Sequence, residues 1–417
     1  MPSLTNKSYR FAFIMITSLF FLWGFVHNMN PILIPHLKKS FTLTVTQSTL
    51  IDSAIYIAYF LMAFPAGIIM KKFGYKAGII TGLLFFATGT FLFIPAANTQ
   101  SYDFFLFALF VIACGLAMLE TAANPYASSL GDPETSTQRL NFSQSFNGLA
   151  AAMAPIIGAR VILTKGYSDV ELSSMTDAAR KIALASEASS VKVPYFIFGV
   201  VLVVVAIIFV FTKLPVIQDH EGHVAGKNMF HAFKHKHLAW AVVAQFFYVG
   251  AQVSVLSLFV LYATKSSGIS ELSASDYSGV CGASFLIGRF LGTFLMKYIR
   301  PDRLLVLYAI INILLCVVAM EAHGMITVYA VIGICFFMSI MFPTIFALGI
   351  KGLKADTEFG SSLLIMSIVG GAIMPRIFGY ISDGTGDIQY GYIVPLLCFA
   401  VILYFGWKGY KVKAVNG

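Results

Sequence analysis

The stretch FALFVIACGLAMLETAANPYASSL, residues 107–130, sets one carboxylate, Glu120, inside a run of otherwise apolar and small side chains. About 20 apolar residues suffice to cross a hydrocarbon core of roughly 30 Å. An ionisable group near the middle of such a run costs at least ~2.5 kcal/mol on insertion scales, so a chain that keeps one has a use for it. Outward from this stretch, apolar runs of similar length recur along almost the whole of the 417 residues. They predict twelve spans, at 11–35, 46–70, 77–97, 103–129, 139–163, 193–213, 238–263, 276–297, 302–321, 324–350, 360–382 and 389–408. The fold class expected is an all-α membrane protein, and the first hypothesis is a polytopic carrier.

The composition agrees. Hydrophobic residues make up 58% of the chain, charged residues 11%, and the mean hydropathy is +0.82. A soluble domain has about 25% charged residues, so an aqueous fold is excluded. The net charge of +9 would suggest nucleic acid in a soluble protein. Here the basic residues lie in short joints beside apolar spans, where they orient the chain, and no nucleic acid is expected. Cys114, Cys281, Cys316, Cys335 and Cys398 all fall in predicted spans, without metal-ligand spacing, and read as small apolar packing residues. The apolar run from Phe11 continues to Ile34, so it reads as a first membrane helix and not as a cleaved signal.

An even number of spans puts both termini on one side. That side holds Lys71, Lys72, Lys76, Lys297, Arg300, Arg303, Lys351 and Lys354 among many basic residues; the other holds Lys38, Lys39, Lys165, Arg180, Lys181, Lys192 and Lys265. The positive-inside rule then places both termini of this multi-pass protein in the cytoplasm. The longest cytoplasmic joint divides the chain into 1–213, a linker at 214–237 with the basic run KHKH, and 238–417.

The two parts echo each other. Gly24 precedes Gly67, which opens GIIMKKFGYK, much as Gly250 precedes Gly292, which opens GTFLMKYIRP. NPYASSLG, around Pro125 and Gly131, matches FPTIFALG, around Pro343 and Gly349; MAPIIG likewise matches IMPRIFG. A duplicated six-helix unit follows. Parallel six-helix halves describe the major facilitator superfamily, whose substrate site lies between the halves near the midplane.

The joint GIIMKKFGYKAG resembles that superfamily's loop between its second and third helices, with Lys71 in the usual acidic place. Together with FFLWGFVHNMNPILIPHLKKSFTLT, LETAANPYASSLG, RLNFSQSFNG, AQFFYVGAQ, FLIGRFLGT, FPTIFALGIKGL and DTEFGSSLLIMSIVGG, it resembles the fucose-galactose-glucose symporter family, and within it most the L-fucose permeases. The resemblance implies a sugar carrier coupled to H+ or Na+, without a cofactor, acting as a monomer in the lipid bilayer. It also puts Glu120 on the family's LETAANP glutamate, implying a proton-coupling and sugar-contacting role. One departure is plain. L-fucose permeases carry Asn-Asp before the ILLP or ILIP run, whereas this chain has Asn30-Pro31, so the second expected carboxylate is missing. Where the acid stands one place earlier, Asn30 occupies the position of an Asp.

The residues themselves give a similar candidate set. Glu120 must be neutral, paired with a cation or turned to a watery cavity; the alternative is a packing acid that donates one hydrogen bond. His27, one turn from Asn30, is a candidate helper in proton coupling or a hydrogen-bonded packing group. Sugar hydroxyls need amides, carboxylates and hydroxyls, with aromatic faces for the apolar side of the ring. Asn141, Gln144 and Asn147 stand at three-residue spacing; Gln245, Tyr248 and Gln252 share another face; Trp23, His27 and Asn30 share a third. The substrate-binding candidates are Asn30, Glu120, Asn124, Gln144, Asn147, Gln245, Tyr248 and Gln252. By resemblance, Gln144, Asn147, Gln245 and Gln252 match cavity-lining positions of the family. A lone membrane amide as readily glues helices, worth roughly 0.6 kcal/mol. Arg289, in LIGRFLG, matches a family arginine and reads as snorkelling or bonded to backbone carbonyls.

The expected activity is secondary import of a sugar by alternating access, L-fucose with protons, Glu120 carrying the proton. Alternatives are a sodium-coupled importer of glucose, galactose or N-acetylglucosamine, a facilitative uniporter, and a membrane sugar sensor that no longer transports. An enzyme is not expected: the chain has no HExxH, no Ser-His-Asp set and no paired membrane carboxylates, and it lacks a GxxxxGK[ST] phosphate loop.

Overall fold

The computed structural model describes residues 7–29, 41, 45–162, 174–215, 232 and 234–412. Every regular element among them is helical. The α-helices are α1 (Lys7–His27), α2 (Val45–Thr99), α3 (Tyr102–Ser129), α4 (Ser136–Ile162), α5 (Asp177–Ser189), α6 (Lys192–Phe211), α7 (Lys236–Ser257), α8 (Phe259–Ser267), α9 (Glu271–Leu295), α10 (Pro301–Glu321), α11 (Met325–Met338), α12 (Met341–Ile350), α13 (Thr357–Met366), α14 (Gly370–Thr385) and α15 (Ile393–Tyr404).

Ten helical stretches among the described residues are long and apolar enough to cross a membrane. The twelve predicted spans map onto them with two differences. The 46-residue stretch Ala54–Thr99 holds two predicted spans, being more than twice the length that about 30 Å of hydrocarbon requires. The division falls at Gly74, whose φ of 82° and ψ of 169° interrupt α2 between Lys71-Lys72 and Lys76. That backbone region is essentially open to glycine alone. The other difference is α4, which carries the polar stripe and so falls outside the ten. The joint between the fifth and sixth spans also holds a short helix, α5, of 13 residues.

The chain forms two compact units. One comprises Phe21–Ala122 and Ala150–Leu214. Within it α2 and α3 meet through small residues: a Cβ on Gly89 would lie 2.5 Å from the Ile112 nitrogen, and one on Gly82 2.9 Å from Leu119 Cγ. Close backbone approach of this kind is how helices gain contact where lipid is as apolar as leucine. α6 is held to α2 by Phe93 stacked on Tyr195 at 3.9 Å between ring centroids. Lys76 Nζ also donates to the carbonyls of Val210 and Thr212, at 2.8 and 2.9 Å, setting a cation at the end of α6 where unpaired carbonyls accumulate.

The other unit comprises Met1–Phe20, Ala123–Leu149 and Pro215–Gly417. Gly370 of α14 faces the Phe246 backbone of α7 so closely that no side chain fits between them. Gln389 Nε2 donates to the Ala319 and Ala322 carbonyls at 2.9 and 2.8 Å and so closes the end of α10. These units do not follow the division at 214–237 that the repeat suggests. The reason is physical: the first half of α4 is hydrogen-bonded to α9 and α12 and therefore clusters with them. All five cysteines are free and buried, as packing residues should be.

Candidate functional site

In the unit Phe21–Ala122 and Ala150–Leu214 the centre is Glu120. α3 carries it, half-buried, and Tyr59 Oη of α2 donates to its Oε1 at 2.7 Å. Tyr59 is itself buried, so the donor is fixed by packing. Sequence reasoning missed it, since one tyrosine among 19 on an apolar helix carries no signal of its own. His27 ends α1 and lines a small, mostly apolar cavity with Val26, Ile55, Leu109, Ile112, Ala113, Leu116 and Tyr195. Asn30 lies outside the described residues.

The other unit holds the amides. Gln144 Nε2 of α4 donates to Asn124 Oδ1 of α3 at 3.0 Å, and both side chains are buried. Asn141, also buried, gives its Nδ2 to the Thr137 carbonyl at 2.9 Å and to Thr344 Oγ1 at 3.2 Å. Asn147, next along the stripe, is half-buried and makes no hydrogen bond among the described residues. On α7, Gln245 is wholly buried with neither amide atom bonded among the described residues, and Tyr248 is buried on the same face. Gln252, one turn further, is half-buried. Buried polar groups are nearly always satisfied, and an exception asks for a cause. Two amides with spare hydrogen-bonding capacity, Asn147 on the α4 stripe and Gln245 on the α7 stripe, give one: they can receive a polyhydroxylated ligand.

Arg289 of α9 is buried among them. Its Nε donates to the Ser339 carbonyl and its Nη1 to the Gln144 carbonyl, each at 2.8 Å. The guanidinium also lies 4.5 Å above the Phe285 ring. Of the two readings of this arginine, carbonyl bonding is the one realised. Pro343 explains one carbonyl: four residues after Ser339, it has no N–H to offer, so the helix breaks between α11 and α12 and the Ser339 oxygen is left for Arg289. A second residue that the sequence reading passed over is Asn312 of α10, wholly buried with both polar atoms unbonded among the described residues; its neighbours in the chain, AIINILL, give it no distinguishing pattern. Among the described residues no His, Cys, Asp or Glu cluster is arranged to hold a metal.

The family model of the Major Facilitator Superfamily matches residues 11–375. The L-fucose-proton symporter of Escherichia coli K12 is 41% identical over 408 residues, covering 96% of this chain and 93% of that one. A glucose/galactose transporter of Brucella abortus is 40% identical over 409 residues, covering 98% and 96%. Among solved structures, that of the transporter FucP in an outward conformation aligns with a TM-score of 0.90 at 40% identity, covering 96% of this chain and 99% of that one.

Proposed function

We infer the function from one premise, that this chain belongs to the Major Facilitator Superfamily and is one of its sugar transporters. We propose that it imports L-fucose together with protons by alternating access, as a monomer in the bacterial inner membrane with both termini in the cytoplasm. The six-helix bundles of 1–213 and 238–417 are its two moving parts, joined by 214–237. Glu120 is the proton carrier. Asn124, Gln144, Asn147, Gln245, Tyr248 and Gln252 are its sugar contacts, together with Asn30. No cofactor is needed, because the ion gradient drives the cycle.

The observation that carries this reading is the half-buried Glu120 bonded to Tyr59, a turn away on the same helix from Asn124, whose side chain holds the amide stripe of α4. A protein seldom retains a carboxylate at that depth without moving a charge through it. Proton binding at Glu120 is then linked to sugar binding by the helix face that both residues share. A second reading has its own support. Relatives 40% identical carry the name of glucose/galactose transporters, and Asn30-Pro31 lacks the second acid that the L-fucose permeases carry.

Uptake of labelled L-fucose into proteoliposomes, with an inward proton gradient and with sodium present or absent, separates the two. The proposal expects accumulation that needs protons, ignores sodium and is displaced by unlabelled L-fucose far better than by glucose or galactose. Sodium-dependent uptake displaced best by glucose or galactose would replace it with the second reading.

A further inference from the structure

The stripe of α4 is longer than the three amides that first drew notice. Gln138, Asn141, Gln144 and Asn147 follow at three-residue spacing, and the first three are already engaged by helices from the second sequence half. Gln138 Nε2 donates to the Thr293 carbonyl of α9 at 3.1 Å. Asn141 Nδ2 donates to Thr344 Oγ1 of α12 at 3.2 Å. The Gln144 carbonyl accepts from Arg289 Nη1 at 2.8 Å. Of the four, Asn147 alone has no partner among the described residues.

Arg289 differs from the other two rungs. It is 4% exposed, and no carboxylate pairs with it among the described residues: its partners are two backbone carbonyls and the Phe285 ring. A buried cation without an acid is a poor stabiliser, and packed apolar side chains of similar volume would serve a static core as well or better. Its two carbonyls come from separate places, the α11–α12 break and the middle of α4. Gly148 clears the approach, because a Cβ there would already meet Leu286 at 3.2 Å and stand 3.8 Å from Arg289 Nη1. Nearby on α7, Gln245 is sealed with neither amide atom bonded among the described residues. The arrangement therefore closes a seam with three hydrogen bonds while stranding other polar groups, as an element with two alternative packings does.

We propose that Arg289 is a positioning residue of the transport cycle: it pins the α4 stripe to α9 and to the α11–α12 break, and its release from the Gln144 carbonyl opens Asn141 and Gln144 to water and sugar. The proposal rests on the carrier reading for its purpose, but the pin is a property of the protein without sugar. Backbone carbonyls suit the role, since they hold the guanidinium strongly in a dry seam and let it go once water enters.

The test is the reactivity of a cysteine at the seam. Thr137→Cys replaces a side chain 7% exposed, one turn before Asn141, in a chain whose five native cysteines are buried. Purified protein is treated with a water-soluble maleimide, without sugar. If opening is a minor state of 0.1–10%, Arg289→Gln raises the labelling rate about tenfold. Arg289→Lys, which keeps the charge and loses the fork, gives an intermediate rate. Should Arg289→Gln fail to fold, Gln138→Leu with Thr344→Val removes the other two rungs and must also raise labelling. Unchanged labelling in well-folded variants overturns the pin. A parent that labels as proposed yet takes up no L-fucose leaves the pin standing and removes the sugar assignment instead.

Discussion

Asn147 and Gln144 lie one turn apart on α4 and are distinguished by their partners. Gln144 already supports Asn124 through a buried hydrogen bond, whereas Asn147 has no hydrogen-bond partner among the described residues. Removing a buried partner exposes the full desolvation cost of the group left behind, about 1–3 kcal/mol, while removing a group that bonds only ligand costs the fold little. Asn147→Ala should therefore weaken L-fucose binding about tenfold or more with an unchanged melting temperature. Gln144→Ala should weaken binding and lower the melting temperature together. Equilibrium binding and thermal unfolding in detergent check both, and unchanged affinity in Asn147→Ala would move the sugar elsewhere. The three-residue spacing made this stripe legible in the sequence. Which rungs the protein keeps for itself was not, because Thr293, Thr344 and Arg289 lie more than a hundred residues away and only packing brings them in. Tyr59 was hidden for the same reason: its role comes from facing Glu120, and nothing about a tyrosine in an apolar run announces that.

At the scale of elements, glycine and proline set the joints. Gly74 turns α2 with φ 82° and ψ 169°, a conformation that places three lysines, Lys71, Lys72 and Lys76, around one bend. A side chain there is strained by about 1–3 kcal/mol even though nothing lies within 4 Å of its Cβ. Gly74→Ala should consequently lower the melting temperature by several degrees, which differential scanning fluorimetry would detect; an unchanged value would mean that the bend tolerates an ordinary residue. The charge cluster in GIIMKKFGYKAG disclosed this joint in the sequence, and the long apolar runs disclosed the spans around it. The break between α11 and α12 was less legible. Pro343 was visible, but a membrane helix often carries a proline through, and here its consequence depends on Arg289 taking the freed carbonyl.

At the scale of the molecule, two kinds of boundary coexist. The repeat divides the sequence near 214–237, whereas compactness assigns Ala123–Leu149 to the same unit as the second half. Echoed motifs suggest the first boundary, and the hydrogen bonds of α4 explain the second. Echoed motifs are visible in a sequence and hydrogen bonds between distant segments are not, so only the first was open to reading. Under the proposed function, the chemistry of transport follows from one carboxylate, Glu120, that takes up a proton and gives it back. The most direct measurement is gradient-driven accumulation of labelled L-fucose in proteoliposomes, set beside counterflow exchange, for the parent and Glu120→Gln. The account predicts that the parent accumulates sugar under an inward proton gradient, and that Glu120→Gln exchanges sugar but no longer accumulates it. Full accumulation by Glu120→Gln would contradict it.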